Sequence, residues 1–123
     1  MADADDVLAA NEAFYSTFNR KDTQAMEALW SASDEVGCVH PGWDVLRGRQ
    51  LVIDSWRNIL SNPEQPRIVV GNASVTLLGD VALVHCHELV AGSPLAATNV
   101  FRREADGWKL FHHQSGPVAS FDR

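Results

Sequence analysis

Basic clusters, paired cysteines and long apolar runs are all scarce in this chain, and each scarcity closes off a class of function. Ten Lys and Arg stand against sixteen Asp and Glu over 123 residues, a formal net charge of −6. With no cationic run to neutralise phosphates, nucleic acid and anionic membrane surfaces are not expected partners. The two cysteines, Cys38 and Cys86, lie far apart with no CxxC, which argues for free buried thiols rather than a disulfide frame or a zinc site. No apolar stretch approaches the roughly eighteen residues of a membrane span. The opening MADADDVLAA is acidic where a secretory leader would be basic, so a cytoplasmic protein is expected. Internal repeats, low-complexity tracts and interdomain linkers are also missing, and one domain over residues 1–123 is the expectation.

What is present divides into a helical half and a strand-rich half. Val7, Asn11, Phe14 and Phe18 recur at helical spacing, with Leu8 and Tyr15 beside them, and Asp3, Asp5 and Asp6 suit the positive end of a helix dipole. Asp22 or Thr23 can cap a short second helix carrying Met26, Leu29 and Trp30. GRQLVIDSWRNIL places Val52, Ile53, Trp56, Ile59 and Leu60 on one side of a third. Between these, EVGCVHPGW is apolar and β-rich and ends at Pro41-Gly42. After Pro63 and Pro66 four strand-like segments follow, punctuated by Gly-Asp, Gly-Ser-Pro and Asp-Gly. Helices followed by an antiparallel meander predict an α+β fold in which the helices cover one face of a curved sheet.

The chemistry-bearing residues are concentrated on the strands. VHCHE (84–88) and LFHHQSG (110–116) hold four of the five histidines. Alternation puts His85 and His87 on one face and Val84, Cys86 and Glu88 on the other; likewise Leu110, His112 and Gln114 oppose Phe111, His113 and Ser115. Asn99 and Phe101 oppose Thr98 and Val100. Alternation alone does not say which set faces the helices.

The helical first third, CVHPGWDVLRG, RQLVIDSW and the finish ATNVFRREADGWKLFHHQSG together resemble the SnoaL-like, nuclear transport factor 2-like (NTF2-like) superfamily, over nearly the whole chain. That superfamily includes ketosteroid isomerases, polyketide cyclases and the association domain of calcium/calmodulin-dependent protein kinase II. The resemblance implies a cone: a strongly curved, mostly antiparallel sheet wrapped around three N-terminal helices, with a pocket on its concave face, usually in a dimer. By similarity to the association domain, His87, Asn99 and Gln114 stand where pocket-facing arginines occur, and His85, Phe101 and His112 join them by parity. His113 is then expected to point away. The three arginines are missing here, which departs from carboxylate binding of the association-domain kind. By similarity to ketosteroid isomerases, His40-Pro41-Gly42 resembles the segment that carries the general base, and Asn99 falls where an acid donates a hydrogen bond to the developing enolate.

These readings predict a catalytic set of His40, Asn99 and His112. The expected pocket is lined by Tyr15, Trp30, Trp43, Trp56, His85, His87, Phe101 and Gln114. A neutral imidazole can take a proton, and the Asn99 amide or the Tyr15 hydroxyl can donate to an oxyanion. The tryptophans and Phe101 would serve as core and apolar pocket wall at once. Trp108 is expected only to close a strand pair, and Arg102, Arg103, Glu104 and Asp106 to form a solvated or dimer-facing cluster. The rival for His85, His87 and His112 is a three-imidazole metal centre. No acid is placed to orient them and the resembled family works without metal, so no metal or cofactor is expected. Two functions stand open: a cofactor-free acid/base enzyme acting on a small organic molecule, or a non-catalytic ligand-binding or assembly domain. A homodimer is expected through the convex face, where Val84, Cys86, Val100 and Phe111 would make an apolar patch.

Overall fold

A computed structural model describes residues 2–121. Helix α1 (Asp3–Arg20) begins with the three acids in its first turn and ends at Lys21. That residue takes the left-handed conformation (φ 57°) so that its N–H reaches back to the last carbonyls. Asp22 caps α2 (Thr23–Leu29), its carboxylate accepting from the Ala25 N–H at 3.0 Å. Strands β1 (Gly37–Val39) and β2 (Leu46–Arg47) precede α3 (Arg49–Leu60). Gly48 (φ 96°) makes the backbone reversal into that helix. The expected meander follows as β3 (Ile68–Leu78), β4 (Val81–Val90), β5 (Ser93–Glu104) and β6 (Gly107–Pro117).

The six strands form one sheet in the order β2-β1-β6-β5-β4-β3. All neighbours pair antiparallel except β1 and β6, which run parallel. The helices bury their apolar stripes on one face, giving the α+β cone that the sequence predicts. Val7, Met26, Val52, Ala82, Val84 and Leu110 meet with no exposed surface. Asn19 ties α1 to β3 by pairing with both the N–H and the C=O of Ile68, at 2.8 and 2.9 Å. No helix among the described residues is long and apolar enough to cross a membrane.

Two features of the sheet decide which side chains face the helices. Val84 pairs with Asn99 and Cys86 with Ala97. Directly opposed residues share a face, so if Asn99 points inward then Val84, Cys86 and Glu88 do too. The second feature is a bulge in β6: Val100 pairs with His112 but Phe101 pairs with Leu110, leaving Phe111 as an extra residue. The bulge reverses parity beyond it. Leu110, His113 and Ser115 all face the helices, and His112 and Gln114 are turned to the convex side.

The expected facing therefore needs correction on two strands. His85, His87, His112 and Gln114 lie on the convex face, while Val84, Cys86 and His113, expected outside, are buried beneath the helices.

Candidate functional site

The concave face and the helices enclose a cavity of about 450 Å³ toward one end of the sheet. Its apolar wall comes from Phe18 on α1, Trp56 and Ile59 on α3, Trp43 after β1, and Ile68, Val90 and Leu95 on the sheet. Three titratable side chains join that wall: His40, Glu88 and His113. A second hollow of about 400 Å³ lies on the convex face, between His85, His87, Thr98 and Gln114. Of these two hollows, the concave cavity is the one that combines apolar walls with buried imidazole and carboxyl groups, the combination that tunes acid/base chemistry.

Behind that wall runs a hydrogen-bonded chain whose polarity can be worked out from one end. Glu88 is 2% exposed, and its two oxygens accept from the Tyr15 hydroxyl at 2.5 Å and the Ser115 hydroxyl at 2.6 Å. Bonds this short between hydroxyl and carboxyl oxygens suit a charged acceptor. With its own O–H directed at Glu88, the Tyr15 oxygen accepts a hydrogen bond from the Asn99 amide N–H at 3.1 Å; the other amide N–H donates to Asn11 Oδ1 at 2.8 Å. The Asn99 carbonyl oxygen then accepts from His113 Nδ1 at 2.5 Å. His113 is thus the Nδ1–H tautomer. Its Nε2 keeps a lone pair and has no hydrogen-bond partner among the described residues. Burial pushes the His113 pKa down to about 3, with small contributions from His40 and His112, so the imidazole is neutral at physiological pH. Burial raises the pKa of Glu88, and the Ser115 and Tyr15 hydroxyls oppose that rise. Tyr15 is pushed above its ordinary value by burial first and by Glu88 second, which keeps it a donor.

His40 closes the other side, its ring centroid 6.4 Å from that of His113. The Ser55 hydroxyl donates to the Val52 carbonyl at 2.7 Å, so its oxygen accepts from His40 Nε2 at 2.9 Å. The Trp43 and Trp56 rings stand edge-on to His40 at 4.8 and 4.6 Å, and burial lowers its pKa to about 4. The Cys38 thiol is 3.6 Å from His40 Nε2, but burial raises its pKa and leaves it a poor nucleophile.

The structure brings together part of the sequence-predicted site. His40, Trp43 and Trp56 line the cavity. Tyr15 and Asn99 stand directly behind it; both amide protons of Asn99 are already engaged, so it orients His113 rather than reaching a ligand. Trp30 and Phe101 belong to the core and not to the cavity wall. His87 stacks on Phe121 with ring centroids 4.0 Å apart, on the far side of the sheet. The register separates His85, opposite Thr98, from His112, opposite Val100, so the three imidazoles of the metal reading do not converge. Among the described residues no three His, Cys, Asp or Glu side chains are grouped as metal ligands.

Glu88 and His113 were missed by sequence reasoning. The available signal was an acid in the apolar VALVHCHELV run, which costs free energy unless partnered.

The SnoaL-like domain family matches residues 7–120. An NTF2-like family protein from Streptomyces avermitilis, provisionally assigned as a dehydratase, is 39% identical with a TM-score of 0.88, over 96% of this chain and 97% of that one. A Thiobacillus denitrificans protein, provisionally assigned as a calcium/calmodulin-dependent protein kinase type II association domain, is 32% identical with a TM-score of 0.82, over 90% of this chain and 94% of that one. The F-box protein SKIP8 of Arabidopsis thaliana is 30% identical over 119 residues; these are 95% of this chain and 52% of the plant protein, so the chain spans about half its length.

Proposed function

The chain belongs to the SnoaL-like, NTF2-like family, and from that premise we propose that its concave cavity carries out cofactor-free acid/base chemistry on a small organic molecule. The observation that carries this reading is the His113 imidazole: neutral, fixed through Nδ1 by Asn99, and part of the cavity wall with Nε2 unpaired among the described residues. A base of this kind takes a proton from a carbon beside a carbonyl group. The same imidazolium then returns the proton, either to another carbon, which is an isomerisation, or to a hydroxyl that leaves as water, which is a dehydration. Either path balances with no redox partner. The 39% identity to a provisionally assigned dehydratase favours the second. His40 and His113 are the acid/base candidates and Asn99 positions His113, while His112 leaves the set because it faces the convex side.

The test is turnover of a panel of β-hydroxy ketones and enones by the wild-type protein and by His113→Ala. The reading expects at least one substrate whose turnover falls about a hundredfold or more in the variant. Unchanged turnover in His113→Ala would remove the base assignment.

One observation favours a non-catalytic binding domain instead. His40 Nε2 already donates to Ser55 and its Nδ1 lies 3.9 Å from the Cys38 sulfur, leaving His113 Nε2 as the imidazole nitrogen of the cavity with no partner among the described residues. Ligand binding without turnover of any panel member is the outcome that would select that reading.

We also propose a homodimer through the convex face. The surface involved is Leu83, Val100 and the neighbouring polar side chains Thr98 and Gln114, in place of the Val84 and Cys86 expected there.

A further inference from the structure

We infer that the cavity selects neutral ring compounds bearing a hydroxyl group and rejects carboxylates, with Glu88 as the residue that imposes the choice. The inference rests on the cavity's being a small-molecule site, as proposed above.

The argument is one of polarity and charge. No Lys or Arg lines the cavity among the described residues; Glu88 is its one formally charged group. An entering carboxylate would stand in an apolar enclosure beside a like charge, where their repulsion is far stronger than in water. It would also meet the wrong hydrogen-bonding partners. Glu88 is an acceptor, and the free nitrogen of His113 is an acceptor because Nδ1 holds the proton. A ligand hydroxyl is a donor and can bond to His113 Nε2, while the edges and faces of Trp43 and Trp56 accommodate a flat ring. The Gln65 amide and Ser93 hydroxyl on the rim supply neutral donors for a ligand carbonyl. Among the described residues no cationic side chain on the wall is placed to pair with an acid.

Glu88 has no substitute in this role. Tyr15 and Ser115 spend their protons on it, so its charge is held in place from behind and faces a wall with no counter-ion. Converting Glu88 to Gln removes the charge and keeps the size.

The test compares 2-naphthol and 2-naphthoate, the same ring with a neutral hydroxyl or an anionic carboxylate at pH 7, by titration calorimetry. The wild-type protein is expected to bind 2-naphthol at least about tenfold tighter than 2-naphthoate. In Glu88→Gln that ratio should shrink at least about threefold, through tighter naphthoate binding. Equal affinities for the two probes in the wild-type protein, or a preference for naphthoate, would overturn the inference and leave the small-molecule site standing. An unchanged ratio in a folded Glu88→Gln protein would overturn the role of Glu88. If that variant does not fold, the wild-type comparison still decides the preference, and Ser115→Ala, which removes a donor that favours the charged form of Glu88, should narrow the ratio. Binding of neither probe would overturn the small-molecule site itself.

Discussion

His113 Nδ1 and Asn99 Oδ1 lie 2.5 Å apart on adjacent strands, and through this bond a buried carboxylate three hydrogen bonds away sets the tautomer of an imidazole on the cavity wall. The order is Glu88, Tyr15, Asn99, His113, each link fixed by the donor and acceptor capacity of the one before.

The adjacent histidines should behave oppositely. His113→Ala should abolish turnover of a panel substrate to within about a hundredth of its starting value, whereas His112→Ala should leave it within about twofold. Steady-state kinetics on the two variants checks the facing directly. Equal loss in both would mean that the β6 bulge does not place His113 alone in the cavity.

Removing the middle of the chain should cost stability as well as activity. Asn99→Leu leaves Asn11 Oδ1 and His113 Nδ1 without partners in the core and takes one of its partners from the Tyr15 oxygen, and with about 1–3 kcal/mol for each of the three losses the total should exceed about 3 kcal/mol. Tyr15→Phe should cost less, about 2 kcal/mol, because Glu88 keeps Ser115 as a donor. Urea unfolding midpoints order the two variants, and a milder effect for Asn99→Leu would contradict the chain.

Most of the fold was legible in the sequence, and the facing of two strands was not. Helical spacing at Val7, Asn11, Phe14 and Phe18, the Asp22 cap and the Gly-punctuated meander all report local physics, and the structure contains each of them. Parity within β4 and β6 was equally local, but choosing between its two faces needed the register of Val84 against Asn99. That register is a long-range property no single strand carries. The bulge at Phe111 compounds the problem: the extra residue inverts every side chain beyond it, and nothing in LFHHQSG marks it. His40 and Asn99 were identifiable through the resemblance of their segments to the ketosteroid isomerases. Glu88 stands in the apolar run VALVHCHELV, but its partners Tyr15 and Ser115 are 73 and 27 residues away in the chain, so no local pattern marks the site it joins.

Acid should destabilise the protein from a definite starting point. His40 and His113 have folded-state pKa values lowered to about 4 and about 3 from an ordinary value near 6.5. Between those limits the unfolded chain binds protons that the folded chain refuses, so stability falls as pH drops below about 6.5, by up to about 1.4 kcal/mol per unit for each histidine. Glu88 works in the opposite sense, since its raised pKa favours the folded state as pH falls toward the ordinary carboxylate value. With two histidines against one carboxyl, the net slope between pH 6 and 4.5 should be a loss. His113→Gln, which keeps a donor toward Asn99, should reduce that slope by at least about half in urea titrations at stepped pH.

The convex face should pair with a second copy. Sedimentation at micromolar concentration should report a dimer, and Val100→Asp, which places a charge on that face, should shift it toward monomer without unfolding it. A wild-type monomer under these conditions would refute the interface.

The tautomer of His113 tests the account most directly. Long-range ¹⁵N–¹H correlation spectra of the labelled protein should show His113 neutral, with the proton on Nδ1, from pH 7 down to below about pH 5. A His113 that carries its proton on Nε2, or that becomes charged near pH 6.5, would show that the chain from Glu88 does not set the imidazole and that the cavity has no poised base.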